Sequence, residues 1–169
     1  AERGMNTLVI KPRIDSRSGE NRVRSRIGLE AEAVDVDTSI NLLDLVKNAS
    51  EAQPIHCILV DEAQFLSTDQ VDQLTEVVDA LNIPVLAYGL RTDFLGALFE
   101  VYRQLLALSD ELREIKTICH CGRKATMVVR LDGEGQPMHS GDQIQIGGNE
   151  TYVSMCRRHF KESLKIAAP

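Results

Sequence analysis

Two adjacent carboxylates, Asp61 and Glu62, end an apolar run in the stretch "CILVDEAQF". A buried parallel strand delivers the residues after it to the carboxyl edge of the sheet, where open α/β sheets bind their ligands. An apolar strand that ends in an aspartate is the pattern of a Walker B strand, whose aspartate helps to hold Mg²⁺ against nucleotide phosphates. A second carboxylate suits a base that takes the proton of an attacking hydroxyl. The pattern alone equally allows Asp61 to cap the next element and Glu62 to be solvated.

A second set of reactive residues lies near the end of the chain. Cys119 and Cys121 form a C-x-C, and Cys156 with His159 forms a C-x-x-H that opens a predicted helix. Residues three apart on a helical turn share a face, so three sulfurs and one imidazole can surround one ion in the tetrahedral arrangement of a structural zinc. His120 is either a competing ligand or a bystander. Free thiols or a Cys119–Cys156 disulfide is the alternative, which a cytosolic compartment disfavours.

The long excursion 122–155 would be tied at its base by this ion. Such a pre-ordered loop can offer backbone donors and acceptors to a ligand without a large ordering cost at each binding event. A ligand-binding role for the loop is therefore a natural hypothesis.

Composition narrows the class of protein. With 169 residues and 43% hydrophobic content, the chain can bury the core of one globular domain, with or without a small appendage. It has neither an apolar run approaching the roughly 20 residues of a membrane helix nor a signal-peptide pattern, which favours a cytoplasmic protein without a membrane partner. The formal charge of −6 disfavours nucleic acid as a partner and favours a small molecule.

The elements that must position these residues follow from periodicity. Strands are predicted in "NTLVIKPRID", "PIHCILV" and "IPVLAYGL", the last two covered on both faces and Cys57 an inert core residue. Helices are predicted in "SINLLDLVKNA", in "STDQVDQLTEVVDAL" with Ser67 or Thr68 as N-cap, and in "DFLGALFEVYRQLLALSD". Strands that alternate with helices imply a mostly parallel α/β sheet.

The character of the chain changes near Leu112. We therefore predict an α/β domain over residues 1–112 and a small domain over residues 113–169. The second contains strand-like pieces, a "DGEGQP" turn and the short helix "RRHFKESLKIA".

Several motifs together resemble one family, the bacterial type II, zinc-containing thymidine kinases, and most closely their gammaproteobacterial branch. "VDEAQF", "YGLRTDF", "LFE", "KTICHCGRKA" and "IGGNETYVSMCRRH" occur in the family's order and cover essentially the whole chain. The resemblance implies a RecA-like P-loop NTPase sheet plus a C-terminal zinc-binding lasso domain. It also implies transfer of the ATP γ-phosphoryl group to the 5′-hydroxyl of thymidine with Mg²⁺, by a homotetramer.

The resemblance also assigns roles to residues. Glu62 takes the place of the general base and Asp61 that of the magnesium-associated aspartate. Nucleotide-binding positions are Asp15, Arg17, Asp61, Glu62, Ala63 and Gln64. Thymidine-contacting positions are Phe65, Leu90, Phe94, Phe99, Gln143, Ile144, Gln145, Ile146, Gly147 and Tyr152. Without the resemblance, Phe94 and Phe99 would be read as core residues, and Tyr152 equally as an ordinary strand tyrosine.

The chain departs from the family pattern at one place. No segment matches the phosphate-binding loop G-x-x-x-x-G-K-[ST], which should precede Ala1. We expect this chain alone to be inactive, and the parent protein to carry about 25 to 30 further residues that form the strand–loop–helix unit of a P-loop. Two rival functions remain open, another P-loop ATPase with a zinc ribbon and a non-catalytic zinc module that binds nucleosides or nucleic acid.

Overall fold

The structure, a computed structural model, describes residues 4–13, 22–24, 30–115, 117–143 and 152–165. Two compact units make up the chain. The first unit is Ala1–Leu90 with Glu100–Ser109, and the second is Arg91–Phe99 with Asp110–Pro169. A single boundary near Leu112 would place residues 91–99 in the first unit, whereas the contacts of these residues place them in the second. The chain therefore passes between the units more than once. The division into folding domains stays a prediction.

The first unit is built on a parallel sheet. The sheet contains β1 (Thr7–Pro12), β4 (Val34–Val36), β5 (Cys57–Val60) and β6 (Val85–Ala87). A separate antiparallel pair contains β2 (Arg22–Arg24) and β3 (Glu30–Glu32). The parallel sheet has the order β4-β1-β5-β6, and β2 pairs with β3. Strand β5 therefore has neighbours on both sides, with Leu8 opposite Ile58 and Ile58 opposite Val85. The predicted parallel α/β sheet is confirmed.

The α-helices in the described part of the first unit are α1 (Leu42–Ala52), α2 (Thr68–Leu81) and α3 (Val101–Leu108). Of these three, α1 and α2 begin at side-chain caps, and the sequence predicts the cap of α2. Ser67 caps α2, and its side chain and that of Gln70 form a reciprocal capping box that satisfies two backbone N–H groups at the helix end. The Asn41 side chain caps α1 by accepting the N–H of Asp44 at 3.0 Å.

The core of the first unit lies on one face of the sheet. Ile10, Ile58 and Val60 are fully buried there, whereas Leu86 in β6 is 40% exposed. The prediction that the strand in "IPVLAYGL" is covered on both faces is therefore wrong. A run of apolar residues gives the length of a strand but does not say whether a second layer covers it.

The predicted helix "DFLGALFEVYRQLLALSD" is wrong over residues 93–100, because α3 begins only at Val101. The Asp93 carboxylate accepts the backbone N–H groups of Leu95 and Ala97, at 3.0 and 2.8 Å. Gly96 adopts a φ of 84°. This local side-chain bonding and the left-handed glycine form a turn that competes with the helix.

In the described part of the second unit, the regular elements are two small antiparallel pairs and a helix. These elements are β7 (Thr117–Ile118), β8 (Lys124–Ala125), β9 (Met127–Arg130), β10 (Tyr152–Met155) and α4 (Arg157–Ser163). β7 pairs with β8 and β9 with β10. The "DGEGQP" turn is confirmed, since the N–H of Asp132 donates to the carbonyl of Gln136 at 2.9 Å. Among the described residues, no helix has the length and apolar character needed to cross a membrane.

Candidate active site and metal centre

The paired carboxylates lie directly after β5. Asp61 continues the sheet by donating its N–H to the carbonyl of Ile10 at 2.9 Å. Glu62 leaves the strand in a left-handed conformation, with φ 52° and ψ 42°, and donates its N–H to Oδ1 of Asp61 at 3.1 Å. Both side chains are partly exposed. A left-handed residue other than glycine costs on the order of 1 kcal/mol and is concentrated at functional sites, so the geometry favours a role in chemistry.

A turn of 3₁₀ helix, Ala63–Phe65, follows the carboxylates and is fixed from the neighbouring strand. The N–H of Ala63 donates to the carbonyl of Tyr88 at 2.8 Å. The buried amide of Gln64 donates through Nε2 to Oε2 of Glu62 and accepts the N–H of Leu90 through Oε1 at 3.1 Å. Residues that follow β6 therefore hold the residues that follow β5.

The other predicted ligand contacts of the first unit differ in exposure. Ala63 and Gln64 are buried, Phe65 is partly buried, and Leu90 is 43% exposed. Asp15 and Arg17 lie outside the described residues, so their predicted nucleotide contacts stay predictions.

Among the predicted thymidine contacts of the second unit, Gln143 is hydrogen-bonded to Asp93. The side chain of Gln143 donates to Oδ2 of Asp93 at 3.1 Å. Phe94 and Phe99 are buried, with 2% and 6% of their surface exposed, and Tyr152 is partly buried in β10. Ile144, Gln145, Ile146 and Gly147 lie outside the described residues.

Sequence reasoning missed Arg130, which lies 2% exposed in β9. Its guanidinium stacks 3.8 Å from the centre of the Phe94 ring, and Nη1 donates to the carbonyl of Asp142 at 2.8 Å. Its Nε is buried without a hydrogen-bond partner. Arg130 therefore contacts Phe94, a predicted thymidine contact, and also the backbone of Asp142, which precedes a second predicted contact, Gln143. The only signal in the sequence is a charged residue within the apolar run "MVVRL".

The predicted metal ligands come together. Ligand atoms of Cys119, Cys121, Cys156 and His159 all lie within 4.8 Å of one another. Nδ1 of His159 is 3.2 Å from the sulfur of Cys119 and 3.6 Å from that of Cys156, and the sulfurs of Cys121 and Cys156 are 3.9 Å apart. A tetrahedral zinc places its ligand atoms roughly 3.5 to 3.8 Å apart, so the donor set fits zinc. All four cysteines of the chain are free, so the alternative disulfide is absent.

Local backbone structure positions these ligands. The N–H of Cys119 donates to the carbonyl of Arg123 and the N–H of Gly122 to that of Cys119, both at 2.8 Å, which makes a tight knuckle between β7 and β8. The backbone N–H of Cys121, that of Cys156 and the imidazole of His159 lower the pKa of the Cys119 thiol to about 5. Metals bind thiolates, so the knuckle favours the metal-binding form.

The far side of the His159 ring faces a carboxylate. Nε2 of His159 is 3.7 Å from Oε2 of Glu162, and Arg158 donates to Glu162 at 2.7 Å. The bond from Arg158 holds the pKa of the Glu162 carboxyl below its usual range. At 3.7 Å the contact between His159 and Glu162 has an ion-pair distance and is too long for a hydrogen bond, so Glu162 adds negative charge beside the ring. His120 stacks on His159 with ring centres 4.2 Å apart but is not one of the four clustered residues.

A parallel α/β sheet with paired carboxylates at its carboxyl edge, together with a Cys₃His cluster, defines the class as an α/β protein with a candidate zinc site. The thymidine kinase family profile matches residues 1–160. The thymidine kinase of Rhodopirellula baltica is 61% identical over 163 residues, which are 96% of this chain and 77% of that protein. Those of Vibrio cholerae and Yersinia pestis are 60% and 56% identical, over 96% and 98% of this chain and 85% of each relative. The chain belongs to the thymidine kinase family, as its motifs predict.

Proposed function

We propose that the protein carrying this chain transfers the γ-phosphoryl group of ATP to the 5′-hydroxyl of thymidine and releases thymidylate and ADP. Membership of the thymidine kinase family supports the reaction. The single observation that carries the assignment to residues is the Asp61–Glu62 pair at the end of β5, with Glu62 in a left-handed conformation.

Glu62 is proposed as the general base. As the oxygen–phosphorus bond forms, its carboxylate accepts the proton of the 5′-hydroxyl, and the bond from phosphorus to the ADP oxygen breaks with its electrons. Its partial exposure leaves room for a substrate hydroxyl. Asp61 has the carboxylate chemistry that Mg²⁺ prefers, and a bound Mg²⁺ would neutralise charge on the phosphates.

The remaining assignments extend this proposal. Asp15, Arg17 and Ala63 are assigned to the nucleotide. Phe65, Leu90, Phe94, Phe99, Gln143 to Gly147 and Tyr152 are assigned to thymidine. The Cys₃His centre would hold a structural zinc that orders the chain between Cys121 and Cys156. A homotetramer in the cytoplasm, where ATP is available, completes the proposal.

The test is Glu62→Gln in the complete gene product. The amide keeps the shape of the side chain but takes up no proton, so we expect thymidine binding by calorimetry to persist and kcat to fall about 100-fold or more. Glu76→Gln, on the exposed face of α2, is the matched control and should leave kcat unchanged. Near-normal turnover of Glu62→Gln would remove Glu62 from the role of base.

Two further measurements separate the rival functions. ATP hydrolysis that ignores thymidine would indicate a different P-loop ATPase, and tight, salt-dependent oligonucleotide binding would indicate a nucleic-acid module. Comparison of residues 1–169 with the complete gene product tests the prediction that this chain alone is inactive.

A further inference from the structure

The Gln64 side chain is buried in the turn Asp61–Phe65, the carboxylate turn, and its amide is already engaged at both ends. Only 5% of its surface is exposed. Nε2 donates to the Glu62 carboxylate, and Oε1 accepts the N–H of Leu90. We propose that Gln64 is a positioning residue that fixes the Glu62 carboxylate, rather than a nucleotide contact. This inference rests on the proposed role of Glu62 as base.

Glutamine is suited to this position by its two different ends. The carboxylate of Glu62 only accepts hydrogen bonds, whereas the backbone of Leu90 offers a donor, so the bridging side chain must donate at one end and accept at the other. A glutamate at position 64 would lose the donor and add a second negative charge. A leucine would lose both bonds.

The bridge compensates for the conformation of Glu62. Its left-handed backbone, with φ 52°, lies outside any regular element that would limit the side chain. A base must lie within hydrogen-bond reach of its proton, and a misplacement of about 1 Å can cost roughly 100-fold in rate. The neutral amide fixes one carboxylate oxygen and leaves the other able to accept a proton.

Gly89 supplies the space for this bridge. A Cβ atom at position 89 would lie 2.3 Å from Oε1 of Gln64 and 3.1 Å from the backbone nitrogen of Ala63. No side chain larger than hydrogen fits there unless Gln64 moves. The glycine of "YGL" is therefore required by the position of Gln64, and an alanine there should displace the amide from Glu62.

The experiment compares Gln64→Leu and Gly89→Ala in the complete gene product. We expect kcat to fall about 10- to 100-fold in each, while KM for thymidine and for ATP changes less than about threefold, because the base moves and the substrates' contacts remain. Gln64→Glu should behave like Gln64→Leu. The controls Gln53→Leu, at an exposed helix end, and Gly133→Ala, in the turn Asp132–Gln136 with open space around it, should retain kcat.

The double variant gives the sharper result. If Gly89→Ala acts by displacing Gln64, then Gln64→Leu with Gly89→Ala should be no slower than the slower single variant. Multiplying effects would overturn the inference, as would a raised KM for ATP with kcat retained, which indicates a nucleotide contact. If the melting temperature shows that Gln64→Leu does not fold, Gln64→Glu and Gly89→Ala decide the question. A lower kcat with little change in KM in these two variants supports the positioning role.

Failure of this inference is distinguishable from failure of the proposed function. If Glu62→Gln keeps normal turnover, the assignment of the base fails, whatever the Gln64 variants do. If Glu62→Gln loses turnover and both Gln64→Leu and Gly89→Ala retain it, only the positioning role is wrong.

Discussion

The carboxylates of Glu62 and Asp93, one in each unit, are held in different ways. Glu62 is partly exposed, and among the described residues one side-chain donor, Gln64, reaches its carboxylate. Asp93 is buried and accepts two backbone N–H groups and the amide of Gln143. A carboxylate whose two oxygens both accept hydrogen bonds from the protein is structural, whereas one held at a single oxygen can still accept a proton. The same contrast predicts which substitutions lower stability and which lower rate.

In the Cys₃His centre several side chains would be held by one ion, so loss of this centre should have the largest effect on stability. We expect Cys156→Ser to release zinc and to weaken thymidine binding strongly, because structural zinc contributes on the order of 10 kcal/mol to the folding of small sites. Zinc content by metal analysis and thymidine affinity by calorimetry check this.

The matched control for the metal centre is Cys57→Ala in β5. Burial raises the pKa of the Cys57 thiol, and its sulfur is not one of the four clustered ligands. Zinc content should therefore stay at the wild-type level in the control. Unchanged zinc in Cys156→Ser would contradict the ligand assignment.

Removal of the buried Asp93 carboxylate should have the next largest effect on stability. Asp93→Ala leaves the N–H groups of Leu95 and Ala97 and the Gln143 amide without their acceptor, so we expect a loss of about 3 kcal/mol in the free energy of unfolding. Urea denaturation measures it. Asp110→Ala, at an exposed aspartate, should change stability by less than about 0.5 kcal/mol. Equal effects of the two substitutions would remove the contrast.

The smallest effect on stability is expected for Glu62→Gln, the variant that should be slowest. Among the described residues, the Glu62 carboxylate accepts one side-chain hydrogen bond, from Gln64. The amide oxygen of a glutamine at position 62 can still accept this bond, so the free energy of unfolding should change by less than about 0.5 kcal/mol. The same urea titration applies. A loss of 2 kcal/mol or more would mean that Glu62 is structural in the way that Asp93 is.

Local signals in the sequence predicted much of the fold. Alternating strands and helices predicted the parallel sheet, and Ser67 or Thr68 ahead of an apolar helical repeat predicted the start of α2. The clustering of Cys119, Cys121, Cys156 and His159 was predicted because their residue types and spacing are typical of a zinc site.

The missed features depend on contacts between residues far apart in the chain. Arg130 stacks on Phe94, and Gln64 bonds to Leu90, which no short window of sequence reveals. The start of α3 was predicted too early, at Asp93, because periodicity counted the apolar residues and ignored the aspartate that bonds to its own turn. The roles of residues at the carboxylate turn came from resemblance, and they remain to be tested by the variants above.

Helix α4 has a consequence for how the second unit folds. It contains seven residues, fewer than the roughly 12 that an isolated helix needs, and its N-cap, Cys156, makes no side-chain capping bond. Nucleation of a helix is its costly step. An ion held by Cys156 and His159 would fix the first turn of α4, so capture of the metal would serve as the nucleation event. The refolding rate of this segment should then rise with zinc concentration.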